Sequence, residues 1–300
     1  MRTKGILWID FLGMADFGIW RWLIDPPMHV GWRTLKSLML LAVVGVMVVI
    51  ARDYWTLPNI EFGAEGAALN GIILAFLIGF RNRASYERWW EGRMQWGKLV
   101  NDSRNLCLKY REHTQPSRDE RQQMTEWVSG FAVALMNHLR TGMDSLSAGE
   151  RAVRHEAIDI AGRVHGEIAR LVSQQRIDSI QAQILDSHAS GFMDVSGACE
   201  RIRATPLADS YRALLHQGMI LQLVAIMILA TWELGALGLA AVLIPAYFLI
   251  AMELVAEDIE NPFGTSGDDL NLETYCATIR RSAEQILMHP PGSWLPSQVK

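Results

Sequence analysis

Residues 66–98 read GAALNGIILAFLIGFRNRASYERWWEGRMQWGK, and this stretch decides how the chain is organised. Its first half is uncharged, and its second half is rich in arginine and tryptophan. Ala68, Ile72, Phe76 and Phe80 recur at every fourth position, so a helix places them in one stripe. Small residues on the other faces allow neighbouring helices to approach closely in a membrane. We therefore expect a membrane-spanning helix that changes character where the arginines begin.

The basic half of the stretch places cations beside tryptophans at the end of an apolar segment. Arg81, Arg83 and Arg88 precede or flank Trp89 and Trp90. This combination is typical of a cytoplasmic membrane border. A lipid-facing anchor helix with a positive flank is the simplest interpretation.

Composition restricts the class of protein. Half of the 300 residues are hydrophobic and 20% are charged, a mixture too polar for a bundle made only of membrane spans. The formal net charge of −4 leaves no basic footprint for nucleic acid. Cys107, Cys199 and Cys276 lie far apart without CxxC spacing, which indicates reduced thiols rather than a disulfide or zinc framework. A membrane domain with a cytosolic part fits these features.

Apolar runs near both ends and a polar middle predict an all-α membrane protein with four transmembrane helices and a cytosolic helical body. The predicted segments are an N-terminal cytosolic or interfacial segment (1–32), a first span (33–52), a second span (63–81), the helical body (82–212), a third span (213–233), a fourth span (234–253) and a cytosolic C-terminal segment (254–300).

The loops give orientation and local structure. The loop after the first span has Arg52 as its basic residue, so the densely basic flanks and both termini are expected in the cytoplasm. Glu233 alone separates the last two apolar runs, which predicts a tight turn on the outer side. In the polar middle, Pro116 breaks the helical pattern. Ser117 precedes Glu120 by three residues, a capping-box pattern at the start of a helix.

Catalytic and metal-binding motifs do not occur in the sequence. The 8 histidines are scattered, and the chain has no HExxH, no GxSxG, no Walker loop and no Gly-rich dinucleotide fingerprint. A membrane enzyme would also need a polar pocket, which the apolar spans do not supply. We therefore expect no enzymatic activity, no cofactor and no resident metal.

Four stretches in order resemble the bestrophin family, in its bacterial branch. GFRNRASYERWW at 79–90 and the following EGRMQWGKLVNDSRN resemble its second transmembrane helix. ERIRATPLADSY from Glu200, the apolar pair from Leu214 to Met252, and ENPFGTSGDDLNLE from Glu260 resemble later parts. The RWW and NPFG signatures are short, but together at this spacing they are specific. The resemblance spans roughly residues 5–288.

The resemblance implies a homopentameric ion channel in the bacterial inner membrane, in contact with membrane lipid. Ile72, Phe76 and Phe80 match the family positions that line a narrow hydrophobic neck, where a constriction gates by excluding water. Phenylalanine offers anions a positive ring edge, and Phe76 resembles the anion-conducting animal pattern rather than the aliphatic residue of cation-conducting bacterial relatives. We expect permeation by chloride or another small monovalent anion. A monovalent cation (sodium) channel of the same fold and a non-conducting scaffold or sensor are the alternatives.

A second constriction is expected where the cytosolic vestibule opens, formed by an isoleucine in the family. Ile177 and Ile180 are the candidates here, and each is equally well explained as a helix-core residue.

Arg81, Arg83 and Arg88 form a candidate basic cluster at the inner mouth of the pore. They attract anions there, or they pair with acidic residues such as Glu87 and Glu91 and those of an adjacent subunit.

NPFG at 261–264 resembles the turn before the family's calcium clasp. Animal bestrophins carry an unbroken acidic run after that glycine, whereas this chain has Thr-Ser-Gly at 265–267 and then only Asp268 and Asp269. A calcium ion takes about six to eight oxygen ligands, so we expect neither a metal site nor calcium gating. Asp268 and Asp269 are expected to cap the final helix, 270–288.

Overall fold

The computed structural model describes residues 28–54, 64–142 and 155–288. Within these ranges the chain forms eight α-helices and one π-helical segment, and no strand, so the expected all-α fold is confirmed. Residues 1–27 of the predicted N-terminal segment lie outside the described residues, as do 55–63, 143–154 and 289–300. The helices are α1 (Met28–Tyr54), α2 (Ala64–Thr114), α3 (Arg118–Asn137), α4 (Glu156–Ser173), α5 (Ser179–Ala204), α6 (Asp209–Leu234), α7 (Ala236–Glu260) and α8 (Leu272–Met288), and the π-helical segment is His138–Gly142.

Local sequence explains where the longest helix stops and the next begins. α2 continues for 51 residues without a proline, and it ends just before Pro116, which restricts the residue that precedes it. The Ser117 side chain then accepts a hydrogen bond from Glu120 N at 3.3 Å, and Glu120 Oε2 accepts one from Ser117 N at 2.9 Å. The predicted break and the predicted capping box are both confirmed.

The helices divide into two compact units. The first unit comprises Met1–Arg83 and Asp209–Glu257, and its described part holds α1, the start of α2, α6 and most of α7. The second unit comprises Ala84–Ala208 and Asp258–Lys300 and holds the rest of α2 together with α3, α4, α5 and α8. The assignment of the first unit to the membrane and the second to the cytosol stays a prediction.

Small apolar clusters hold the first unit together. Leu41 of α1 packs with Met227 of α6 and with Val242 and Ala246 of α7, and none of them is more than 6% exposed. Other apolar side chains of these helices are well exposed, including Leu40 at 69%. A surface of this kind fits a bilayer or a partner chain better than it fits water.

The connection between α6 and α7 is a single residue. Gly235 adopts a φ of 60°, a left-handed conformation that glycine reaches without strain. Its N–H donates to Thr231 O at 2.8 Å and so satisfies a carbonyl at the end of α6. The tight turn predicted after Glu233 is present, and it makes α6 and α7 a helical hairpin.

Three described helical segments are long and apolar enough to cross a membrane: Arg33–Arg52, Asp209–Leu234 and Ala236–Glu260. The predicted second span, 63–81, is not among these three, and several side chains near its start lie outside the described ones. Its role as a span therefore stays a prediction.

The second unit has a large continuous core. α8 packs along α3, α3 packs along α4, and α4 packs along α5. Trp96 of α2 is fully buried and its ring lies 5.9 Å from that of Tyr275, while Phe131 and Phe192 contact each other at 4.9 Å between ring centroids. Aromatic side chains from α2, α3, α5 and α8 therefore contribute to the core of this unit.

Candidate functional site

Three large apolar residues of α2 lie on the surface of the single chain. Ile72 is 54% exposed, Phe76 is 62% exposed and Phe80 is 56% exposed. The rings of Phe76 and Phe80 are stacked, with centroids 6.2 Å apart and 26° between their planes. Because a helix turns about 100° per residue, each four-residue step moves the row by about 40° around the axis. The three side chains form a slanted row on one side of α2, which we call the neck row.

The opposite side of the same part of α2 is buried. Leu74 and Ile78 are 5% and 9% exposed and pack with Met219 of α6. Residues two positions apart lie about 200° apart around a helix, so this packing fixes the side on which the neck row lies. A Cβ added at Gly79 would meet no described atom within 4 Å. Glycine at that position is therefore not needed for close packing within one chain.

Directly after the neck row, an ion pair joins α2 to α7. Arg81 Nε donates to Glu253 Oε1 at 3.2 Å, and the Arg81 side chain is 1% exposed. His216 of α6 approaches the same carboxylate oxygen, with Nδ1 3.7 Å away. Arg81 is thus a buried cation with a specific counter-charge in its own chain, and it does not lie on the surface.

Arg88 uses its guanidinium group to bind the carboxyl ends of two helices. Its Nε donates to Glu260 O at 3.0 Å at the end of α7, and its other nitrogens donate to Ile202 O at 2.6 Å and to Thr205 O at the end of α5. The last carbonyls of a helix have no partner within it, so one side chain satisfies three of them. Burial lowers the pKa of Arg88, against the opposing charges of Glu260 and Glu91.

The three arginines of the predicted basic cluster therefore differ in their surroundings. Arg81 is buried against Glu253, Arg88 is bound to backbone carbonyls, and Arg83 is exposed. This arrangement favours pairing for Arg81, and its partner Glu253 was not named among the acidic residues that the sequence suggested. Glu91, one of those residues, pairs with Arg201 at 2.6 Å. Attraction of anions stays a prediction, and exposure supports it best for Arg83.

The two isoleucine candidates for a cytosolic constriction are separated by burial. Ile177 is 5% exposed and lies in the core of the second unit, whereas Ile180 is 67% exposed in the first turn of α5. Asp178 fixes that turn, since its carboxylate accepts a hydrogen bond from Gln181 N at 2.7 Å. Burial favours the interpretation of Ile177 as a core residue, and exposure favours Ile180 as the candidate for the constriction; the role of either residue stays a prediction.

The acidic turn before α8 is arranged differently from the expectation. Asp269 Oδ2 accepts hydrogen bonds from Ser266 N at 2.6 Å and Ser266 Oγ at 2.7 Å, so it closes the turn on itself. α8 begins one residue after Asn271, whose Oδ1 accepts from Thr274 N at 2.9 Å. The expectation that Asp268 and Asp269 cap the final helix is wrong, because Asn271 occupies the capping position.

The pKa of Asp269 is raised by its surroundings. Burial raises the pKa of Asp269, and the charges of Asp258 and Asp268 raise it further, against the two hydrogen bonds from Ser266. α2 also contacts this turn within the second unit, because Trp89 Nε1 donates a hydrogen bond to Asp268 O at 3.1 Å.

Glu253 is the polar residue of this site that the sequence analysis missed. It stood among the acidic residues that follow the last apolar run, and nothing local indicated that it reaches α2. The one indication in the sequence was Arg81, since an arginine at the edge of an apolar segment needs a counter-charge when it is buried.

Comparison with known proteins gives one family for most of the chain. Residues 19–285 match the model of the bacterial/fungal bestrophin protein family. The chain is similar to the voltage-dependent anion channel-forming protein RSc3414 of Ralstonia nicotianae, with 28% identity over 89% of this chain and 95% of the relative. It is also similar to the voltage-dependent anion channel-forming protein mll4386 of Mesorhizobium japonicum, with 29% identity over 89% of each chain. Among solved structures, a bacterial bestrophin homologue from Klebsiella pneumoniae has the same fold, with a TM-score of 0.75, 24% identity, and coverage of 85% of this chain and 99% of that one.

Proposed function

The chain belongs to the bacterial and fungal bestrophin family, and from that premise we propose that copies of it assemble into an anion-conducting membrane channel. The neck row of Ile72, Phe76 and Phe80 lines its narrowest part. Two relatives that each match 89% of this chain are named as voltage-dependent anion channel-forming proteins, which supports anions as the conducted ions.

The observation that carries the proposal is the one-sided burial of α2. The helix is anchored through Leu74 and Ile78, and it presents three large apolar side chains, each more than half exposed, on another side. In a symmetric assembly around a common axis, such a row forms stacked rings. Rings of this kind constrict a pore and exclude water unless they are wide enough.

Assembly and membrane topology follow from the family resemblance and the apolar helices. Five copies around the axis is the stoichiometry that the resemblance implies, and each copy contributes α2 to the pore. α1, α6 and α7 contain segments able to cross the bilayer, with the first part of α2 as the fourth span. The second unit and both termini then lie in the cytoplasm of a bacterial inner membrane, and the partners are membrane lipid and further copies of the chain.

Selectivity for small monovalent anions such as chloride is supported by the chemistry of the neck row. It carries no charge, and two of its three members are phenylalanines, whose ring edges are positively polarised. The rings of Phe76 and Phe80 are 62% and 56% exposed, so their edges are accessible to a passing ion. The Arg81 charge is already balanced by Glu253, so it does not set the sign of the conducted ion.

Reversal potential decides the ion class. Purified protein in a planar bilayer under a chloride-salt gradient is expected to reverse near the chloride equilibrium potential. Reversal at the cation potential would keep the channel and overturn anion selectivity. Addition of Ca²⁺ on either side is expected to leave the current unchanged, because the turn after Gly264 lacks the continuous acidic run of a calcium clasp.

Replacement of Ile72, Phe76 and Phe80 with alanine separates a channel from a scaffold. A wider, less hydrophobic neck is expected to raise the single-channel conductance and the open fraction. Silence of both the wild-type protein and the triple variant, with both inserted in the bilayer, would reject the channel.

A further inference from the structure

A cluster of two imidazoles and one carboxylate occurs in the second unit, among residues that the channel proposal does not use. His138 opens the π-helical segment after α3, His155 precedes α4, and Glu200 lies near the end of α5. One potential ligand atom from each lies within 4.8 Å of the other two. Three separate elements of the chain thus converge on one point.

The distances between the donor atoms suit one small cation. His155 Nε2 lies 2.9 Å from Glu200 Oε1, and His138 Nε2 lies 3.7 Å from the same oxygen. The two imidazole rings lie 3.8 Å apart between centroids. Ligands around a tetrahedral Zn²⁺ with bonds of about 2.0–2.1 Å lie about 3.3 Å from each other. The observed separations fall on either side of that value, so small rotations of the side chains are enough.

The accessibility of the cluster also suits a metal. The side chains of His138, His155 and Glu200 are 13%, 17% and 34% exposed, which shelters the site while leaving a path from solvent.

We propose that His138, His155 and Glu200 bind a Zn²⁺-like transition-metal ion through two imidazole nitrogens and one carboxylate oxygen. Imidazole and carboxylate ligands in this combination select such ions over Ca²⁺ and Mg²⁺, which prefer oxygen ligands alone. The three protein ligands leave the fourth tetrahedral position for water. Ser196 orients the carboxylate, since its Oγ donates to Glu200 Oε1 at 2.9 Å.

Without a metal, the same residues are joined by hydrogen bonds. His155 Nδ1 accepts a long hydrogen bond of 3.4 Å from Ile158 N at the start of α4, which leaves Nε2–H to donate to Glu200. Metal binding through Nε2 instead places the ring proton on Nδ1 and gives up that long bond. The metal therefore replaces a weak cap with coordinate bonds among three elements, and it stabilises the second unit against unfolding.

Zinc binding to the full-length protein in detergent tests the site. Protein stripped with EDTA is titrated with ZnCl₂ by calorimetry, and CaCl₂ and MgCl₂ serve as ion controls. One saturable Zn²⁺ per chain is expected, together with a rise in the unfolding temperature. Glu200→Gln and His155→Gln are each expected to weaken Zn²⁺ binding by at least about 100-fold, and Ser196→Ala by about 10-fold.

His165→Gln is the matched control variant, because His165 pairs with Asp186 at 3.0 Å outside the cluster. It is expected to bind Zn²⁺ like the wild-type protein. Equal weakening in this control, or no saturable binding by the stripped wild-type protein, overturns the proposal. If a ligand variant fails to fold, the visible spectrum of Co²⁺-loaded wild-type protein decides. Absorption typical of a four-coordinate nitrogen and oxygen site supports the proposal, and a six-coordinate spectrum rejects it.

Discussion

The Nε atom of Arg81 lies 3.2 Å from Glu253 Oε1, and this contact joins α2 to α7 within the first unit with the two side chains 1% and 13% exposed. Both charged groups are largely shielded from water, so the loss of either charge leaves the other less well compensated. The second carboxylate oxygen of Glu253 has no hydrogen-bond partner among the described residues. Removal of one partner from such a pair leaves a buried charge without compensation.

Arg81→Met is therefore expected to destabilise the protein by about 3–5 kcal/mol. The double variant Arg81→Met with Glu253→Leu removes both charges and is expected to recover much of that loss. Thermal unfolding in detergent measures both effects. Arg33→Met is the control, because its pair with Glu257 is 45% and 53% exposed and exposed pairs contribute about 0–1 kcal/mol. Equal losses for Arg81→Met and Arg33→Met would contradict the buried pair.

Thiol chemistry tests whether the neck row faces the pore. Burial raises the pKa of Cys107 and Cys199 to about 12 and that of Cys276 to about 11, so the native thiols react slowly. A charged, water-soluble methanethiosulfonate reagent is expected to block most of the current through Phe76→Cys. It is expected to leave Leu40→Cys unaffected, although Leu40 on α1 is 69% exposed in the single chain, against 62% for Phe76. Block of both variants, or of neither, argues against the placement of Phe76 in the neck.

Acid is expected to destabilise the second unit through Glu120. Hydrogen bonds from Arg176, and more weakly from Arg170 and the Ser117 N–H, lower the pKa of Glu120 to about 2 against the opposing effect of burial. The folded pKa lies below the ordinary value of 4.5, so the unfolded chain binds the proton more readily. The stabilisation of the folded state by ionised Glu120 is complete above about pH 4.5 and is lost as the pH falls toward about 2.

Glu120→Gln isolates this effect, since the amide oxygen keeps the capping hydrogen bond from Ser117 and loses the charge. The variant is expected to have a lower unfolding temperature at neutral pH and a flatter dependence between about pH 4.5 and 2. An unchanged pH profile in the variant would show that other carboxyl groups control the acid limb.

The α6–α7 hairpin depends on the absence of a side chain at Gly238. A Cβ there would overlap the carbonyl group of Ala230 in α6. Gly238→Ala is expected to cost about 1–3 kcal/mol through overpacking. Gly162→Ala is the control, because Gly162 lies on α4 with no described atom within 4 Å of an added Cβ, and it is expected to stabilise by about 0.5–1 kcal/mol. Thermal unfolding of the two variants in opposite directions supports the close approach, and a shift of the same sign refutes it.

Sequence predicted those parts of the fold that depend on near neighbours. The break at Pro116, the capping box of Ser117 and Glu120, and the turn at Gly235 each arise from the conformational preferences of a few adjacent residues. The cap of α8 was misassigned because three polar residues that can cap a helix, Asp268, Asp269 and Asn271, lie within four positions. Only the backbone path decides which of them faces the first N–H groups.

Contacts between residues far apart in the chain could not be predicted from the sequence. Arg81 and Glu253 are 172 positions apart, and no periodicity links them. His138 and Glu200 meet because the π-helical segment contacts α5 in the second unit, although neither residue is part of a metal-binding motif. The apolar period of α2 predicted a stripe on one side of a helix, and the family resemblance alone suggested that this stripe lines a neck. The exposure of the stripe could be known only from the structure, which shows the buried side of α2.

Arg88 shows that the shape of a side chain, rather than its charge, is constrained at this position. Its planar fork reaches carbonyls at the ends of α5 and α7 simultaneously, and a lysine ammonium has neither the reach in three directions nor the fixed geometry. An exchange of arginine for lysine would preserve the formal charge of the basic stretch and still remove hydrogen bonds to the ends of two helices. Arg88, which the sequence places in a candidate ion-attracting cluster, thus connects the ends of two helices in this fold.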